Sequence, residues 1–211
     1  MSSQSEPLDS GVERRLESYV TEWMGDNEVP GASVAVVEGT ALRYAEGFGA
    51  RDLAENRPAT PATLYGVGSC TKSVVATAVL QRVAAGDLSL SDPVADHLPH
   101  LADAPGDPVT VEALLTHTSG MPSDGNLSAL VTRLTDVGDA NAPLTSDDDF
   151  RRHVQSSVDE RYTDGERFFY YNTGYTLLGE VVAAVTGTDF HEYVREQVFD
   201  PLGMERSCFT R

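Results

Sequence analysis

Ser69 and Lys72 stand three residues apart in "YGVGSCTKSVV" (residues 65–75), and Lys72 is the single lysine among 15 Lys and Arg residues. That spacing at a helix start places both side chains on one face, with Cβ atoms about 5–6 Å apart. A serine hydroxyl is a weak nucleophile until a base removes its proton. A lysine with a free pKa of about 10.4 is no such base at neutral pH, but burial among apolar groups lowers it by up to about 3–5 units. The run "SVVATAVL" (73–80) can supply such a setting. The competing reading is an N-cap serine beside a solvated lysine. Arginine serves elsewhere as the solvated cation, yet it cannot act as a base, so keeping one lysine here brings the chemical reading level with that one. The helix start also offers backbone N–H groups and a positive dipole end where an oxyanion could develop.

A second stretch supplies partners. In "FFYYNTGYTLLGEVV" (168–182), Tyr170 and Asn172 sit at the entry to an apolar helix. A tyrosine shuttles a proton between nucleophile and leaving group when a nearby cation lowers its pKa. An asparagine amide can orient a lysine and a substrate carbonyl. Phe168, Phe169 and Tyr171 read more simply as an aromatic core cluster.

"GSCTK" (68–72), "LLTHTSGMP" (114–122), "YYNTGYTLLGEVV" (170–182) and "FDPLGMERS" (199–207) resemble, in order, the blocks of the serine beta-lactamase-related family, which includes class C beta-lactamases, D,D-peptidases and esterases. The resemblance runs from about residue 29 to residue 209. It implies an α+β, beta-lactamase/transpeptidase-like fold and a hydrolase that works through an acyl-enzyme on an ester or amide. Ser69 would be the acylated nucleophile, Lys72 its base or proton partner, Tyr170 the general acid/base and Asn172 a hydrogen-bonding support. S-x-x-K is a recognised nucleophile motif, and Tyr170-Tyr171-Asn172 stands where class A enzymes carry S-D-N. The family's third motif, Lys/His-x-Gly on a late strand, is not found. The expectation is therefore a C-terminally truncated chain, lacking the late strands that would pair with residues 32–37 and 41–48. Another chain or segment could supply them. The alternatives to an active hydrolase are an inactive truncated remnant and a penicillin-binding module.

The elements that must position these residues read as one partial domain over residues 1–211. An N-terminal helix falls in residues 1–28, with Asp9 or Ser10 as cap, a stripe of Val12, Leu16, Tyr19, Val20 and Trp23, and an end at Pro30-Gly31. A hairpin follows in residues 29–50, turning at Gly39-Thr40. Residues 51–211 form a mainly helical region carrying the motifs, with residues 52–61 as a loop. Its central helix begins near Ser69, stops at Gly86 and is apolar nearly all round, as a helix buried on every side would be. Short helices are expected in "DPVADHL" (92–98) and "TVEALLTH" (110–117), and Gly120-Met121-Pro122 turns the chain. Residues 123–145 are mostly loop, with a weak helical signal in "LSALVTRL" (127–134). Helices follow in "SDDDFRRHVQSSV" (146–158), "TGYTLLGEVVAAVTG" (173–187) and "DFHEYVREQVF" (189–199).

Other chemical signals are weaker. Ser123-Asp124-Gly125 reads as a turn. "HEYVR" (191–195) lacks the second histidine of a zinc motif. His117 beside Ser119 suggests a dyad, but the resemblance makes that block structural. Asp147-Asp148-Asp149 fits helix capping better than calcium binding, and Cys70 reads as a small packed side chain. No cofactor or metal is implied.

Asp and Glu total 33 against 15 Lys and Arg, a net charge of −18. That balance opposes binding to nucleic acid, whose phosphates require a cationic face, and to anionic membrane surfaces. A carboxylate coat of this kind suits a protein kept soluble in high salt. The polar N-terminus carries no signal-peptide pattern, so the expected location is cytoplasmic, with a small-molecule ester or amide as substrate.

Overall fold

Residues 7–122, 147–163 and 167–209 are described in this computed structural model. The chain divides into two compact units, Met1–Gly66 and Val67–Arg211. The secondary structure is mostly helical, with a three-stranded antiparallel sheet of order β1-β2-β3.

In the first unit, α1 (Ser10–Asp26) starts where the Asp9 carboxylate accepts the N–H groups of Gly11 and Val12, at 2.9 and 3.1 Å. The cap thus satisfies two donors that a helix start leaves without partners. The helix stops at Asn27, and Gly31 already belongs to β1 (Gly31–Glu38), so it ends earlier than its sequence suggests. The expected apolar stripe does not form a core. Tyr19 is 65% and Trp23 48% exposed, and Met24 is the buried side chain instead. Met24 wins because α1 meets β2 (Ala41–Asp52) at Gly49, where a Cβ would sit 3.1 Å from the Met24 methyl group.

The hairpin turns through Gly39-Thr40, with Gly39 at φ +62° in the region that favours glycine. Ala32 pairs with Phe48 and Val36 with Tyr44; a bulge between Val36 and Val37 then shifts the register, pairing Val37 with Leu42. The segment read as a loop over 52–61 contributes a short strand, β3 (Arg57–Pro58), at the free side of β2. Proline fits there because an edge position need not donate to the ladder.

The second unit opens with a tight 3-10 turn, Gly68–Cys70, which runs into α2 (Thr71–Ala85). Gly86, at φ +82°, ends α2: the N–H groups of Gly86 and Asp87 donate to the carbonyls of Val83 and Arg82, both at 3.1 Å. The helix is not buried all round. Val75, Ala78 and Val79 are buried, whereas Leu80 is 48% exposed.

Two 3-10 turns, Val94–Asp96 and Pro99–Leu101, replace the short helix expected in "DPVADHL". The next helix, α3 (Val111–Leu115), is capped by Thr110, whose hydroxyl accepts the Ala113 N–H at 3.1 Å. It is followed by α4 (Asp147–Asp159) and α5 (Asn172–Thr186), the latter closed by Gly187 at φ +68°. The last predicted helix is two pieces, α6 (Phe190–Val194), capped by Asp189, and a π-helical turn over Arg195–Phe199.

The core of this unit is one cluster, with α2 against α5 and α3 and α6 beside them. Its fully buried members include Val79, Val111, Leu114, Leu177, Leu178 and Val181. The readings for residues 123–145 and for the Asp147-Asp148-Asp149 side chains fall outside what is described. No helix among the described residues is long and apolar enough to cross a membrane.

Candidate functional site

Ser69 lies in the 3-10 turn, one step before α2 itself, and is exposed. A 3-10 turn eclipses side chains at i and i+3, which suits the approach of Lys72 to Ser69. Lys72 Nζ donates to Ser69 Oγ at 3.4 Å and to Asn172 Oδ1 at 2.6 Å. The Tyr170 hydroxyl donates to Ser69 Oγ at 2.7 Å. All four predicted site residues therefore meet, two from the start of α2 and two from the start of α5.

The surroundings of Lys72 differ from the apolar flank inferred for it. Its ammonium lies 4.6 Å from the ring centroid of Tyr170 and 5.5 Å from that of Tyr175. Aromatic faces attract a cation, so Lys72 sits in an aromatic and amide cradle. The hydrogen bonds from Lys72 and then Ser69 hold the Tyr170 phenol below the usual tyrosine range, against a smaller upward push from desolvation. Burial and then the nearby Tyr170 charge push Tyr175 the other way.

Tyr175 was missed in the sequence. It lies three residues after Asn172 on the same helix, so helical spacing alone would have placed it on the site's face. Its hydroxyl donates to the Leu115 carbonyl at 2.9 Å, tying α5 to the end of α3. A cavity of about 480 Å³ borders Lys72 and Asn172, with Val75, Ala183, Phe190 and Phe209 among its apolar walls.

Of the aromatic trio beside Tyr170, only Tyr171 joins the core, at 1% exposure; Phe168 is 67% exposed. Cys70 is exposed rather than packed, on the turn that presents Ser69. The backbone donors expected at this helix start are partly committed, since the Cys70 N–H donates to the Val67 carbonyl at 3.1 Å.

His117 and Ser119 form no dyad. His117 turns to the Tyr171 N–H, which it accepts on Nδ1 at 3.1 Å, and the buried Ser119 hydroxyl accepts the Met121 N–H at 3.4 Å. Arg195 engages Glu196 and Glu192, at 2.9 and 3.9 Å, where a zinc motif would need histidine. Among the described residues no group of three or more His, Cys, Asp or Glu is arranged to hold a metal ion.

A serine, a lysine, a tyrosine and an asparagine thus gather at two helix starts, with a small antiparallel sheet elsewhere in the chain. The beta-lactamase family model matches residues 16–211, and the chain belongs to that family. It is 28% identical to Protein flp of Staphylococcus aureus (strain NCTC 8325 / PS 47), over 97% of this chain and 40% of that protein. The octameric penicillin-binding protein homologue from Pyrococcus abyssi superposes with a TM-score of 0.82 at 39% identity, over 93% of this chain and 44% of that one. EstCE1, a hydrolase with promiscuous acyltransferase activity, shares the fold with a TM-score of 0.72 at 20% identity, over 90% of this chain and 51% of its own. The chain thus spans about 40% of the length of the curated relatives it matches.

Proposed function

We propose that the chain carries the nucleophile site of a serine hydrolase that acts on a small ester or amide through an acyl-enzyme at Ser69. The observation that carries this reading is the 2.7 Å contact between the Tyr170 hydroxyl and Ser69 Oγ, beside the Lys72 ammonium. In its phenolate form, which the hydrogen bonds of Lys72 and Ser69 favour, Tyr170 takes the Ser69 proton as Oγ attacks the substrate carbonyl carbon. Collapse of the tetrahedral intermediate breaks the bond to the leaving group, which receives that proton from Tyr170. Water then attacks the acyl carbon, giving its proton to Tyr170, and Ser69 Oγ leaves and is reprotonated. Lys72 serves as the cation that stabilises the phenolate, and Asn172 fixes Lys72 through the 2.6 Å hydrogen bond.

A second reading is favoured by the 39% identity to a penicillin-binding protein homologue: acylation without rapid release. Steady-state hydrolysis of a nitrophenyl ester and mass measurement after incubation with a penicillin separate the two. Ester turnover lost in Ser69→Ala supports the hydrolase. A persistent penicilloyl adduct without turnover supports the binding module, and neither signal overturns both.

The octameric state belongs to the Pyrococcus protein. Self-association of this chain is part of the proposal, and sedimentation of the purified chain tests it.

A further inference from the structure

His117 is buried at 9% exposure, adopts φ +61° and belongs to none of the four roles above. A non-glycine residue in the left-handed region is uncommon and costs backbone energy. Here that conformation lets one residue hold two points of another segment. The His117 carbonyl accepts the Phe169 N–H at 3.0 Å, and Nδ1 accepts the Tyr171 N–H at 3.1 Å. The imidazole also lies 4.6 Å from the Tyr170 ring and 5.3 Å from the Tyr175 ring, centroid to centroid. The residue between the two clipped amides is Tyr170, whose hydroxyl reaches Ser69.

We propose that His117 is a positioning residue for Tyr170, a clip that grips the backbone on both sides of it and so sets the reach of its hydroxyl to Ser69. The clip requires Nδ1 to be bare, which puts the ring proton on Nε2. Protonating the ring turns Nδ1 into a donor facing the Tyr171 N–H and breaks that arm. It would also set a second cation beside Lys72. The charged and titratable groups facing the imidazole are Lys72 from α2, Tyr170 from the clipped segment and Tyr175 from α5. Burial, and then the Lys72 charge, hold His117 below the usual histidine range, so the clip stays closed at neutral pH and opens on acidification.

This inference rests on Tyr170 being the proton acceptor for Ser69, but its geometry is testable without turnover. The experiment uses the full chain with 15N-labelled histidine, amide hydrogen exchange at Tyr171, and the rate of labelling by a fluorophosphonate probe. H117N keeps an acceptor oxygen close to the position of Nδ1, tolerates φ > 0 and does not titrate; H117F keeps a ring without an acceptor. At neutral pH His117 should carry its proton on Nε2. The Tyr171 amide should exchange at least about tenfold faster in H117F and near the wild-type rate in H117N, taking a lost hydrogen bond as about 1.4 kcal/mol. Labelling should fall at least tenfold in H117F, while H117N keeps most of it and loses the acid fall-off due to the imidazole. A proton on Nδ1 at neutral pH, or equal amide exchange in all three proteins, overturns the clip. Measurable labelling at an equal rate in all three overturns its positioning role. If wild type takes no label while the tautomer and exchange results hold, the hydrolase reading fails and the clip stands.

Discussion

The Tyr170 hydroxyl lies 2.7 Å from Ser69 Oγ although the two residues are 101 positions apart in the chain. Their meeting depends on α2 packing against α5, because each residue stands at or just before the first turn of one of those helices. Lys72 and Asn172 join the same two helix starts through a hydrogen bond of 2.6 Å. The site is therefore a property of one helix pair, and variants that keep the pair folded report on chemistry.

Lys72→Arg keeps the positive charge but replaces a compact ammonium with a planar fork that does not match the Ser69 and Asn172 acceptors. The expected result is a fall in the Ser69 acylation rate of about 10²-fold or more, because the acid–base step through Tyr170 loses the cation placed to stabilise its phenolate, with little change in helical content. Burst kinetics with a nitrophenyl ester measure it. Acylation at near wild-type rate would show that any cation suffices.

The pH profile follows from Tyr170. Its phenol is held below the usual tyrosine range by the hydrogen bonds of Lys72 and Ser69. The active form is the phenolate, so kcat/KM should rise as pH increases and level off above the Tyr170 pKa. Lys72→Met removes the first cause, and its rising limb should move to higher pH. Tyr170→Phe should lose that limb and about 10²–10⁴ in rate. An unmoved limb in Lys72→Met would place the titration elsewhere.

Stability should depend unequally on apolar residues. Leu178 is fully buried in α5, whereas Val37 at the bulge in β1 is 60% exposed. Leu178→Ala should cost about 2–5 kcal/mol, and Val37→Ala only about 0.5 kcal/mol or less. Denaturant titrations of both variants give the comparison. Similar losses would mean that Val37 is covered in solution.

Charge sets a further expectation. With a net charge of −18, self-repulsion reaches about 10 Å at 0.1 M salt and about 3 Å at 1 M. The melting temperature should rise steadily across that range of sodium chloride, with helical circular dichroism gained at the low end. A melting temperature independent of salt would show that the carboxylates are spaced too widely to repel.

Much of this was legible in residue types. Asp9, Gly39 and Gly86 do what their chemistry suits them for, because caps and left-handed turns depend on a few adjacent atoms. The four site residues came from motif spacing and resemblance. Their convergence could not be read from spacing alone, since it depends on two helices separated by some hundred residues. Three failures share one cause. The α1 stripe, the all-round burial of α2 and the packing of Cys70 were inferred from apolar type, but burial is decided by what stands opposite. Tyr19, Leu80 and Cys70 are all exposed. His117 was dismissed as a catalytic partner of Ser119, and nothing local revealed that its ring would serve the backbone beside Tyr170.

The measurement closest to the central claim is peptide-mapped mass spectrometry after reaction with a fluorophosphonate probe. The account predicts a single adduct on Ser69, one probe per chain, slowed in Tyr170→Phe and absent in Ser69→Ala. An adduct on another serine, such as Ser119, or an adduct that persists in Ser69→Ala, would contradict it.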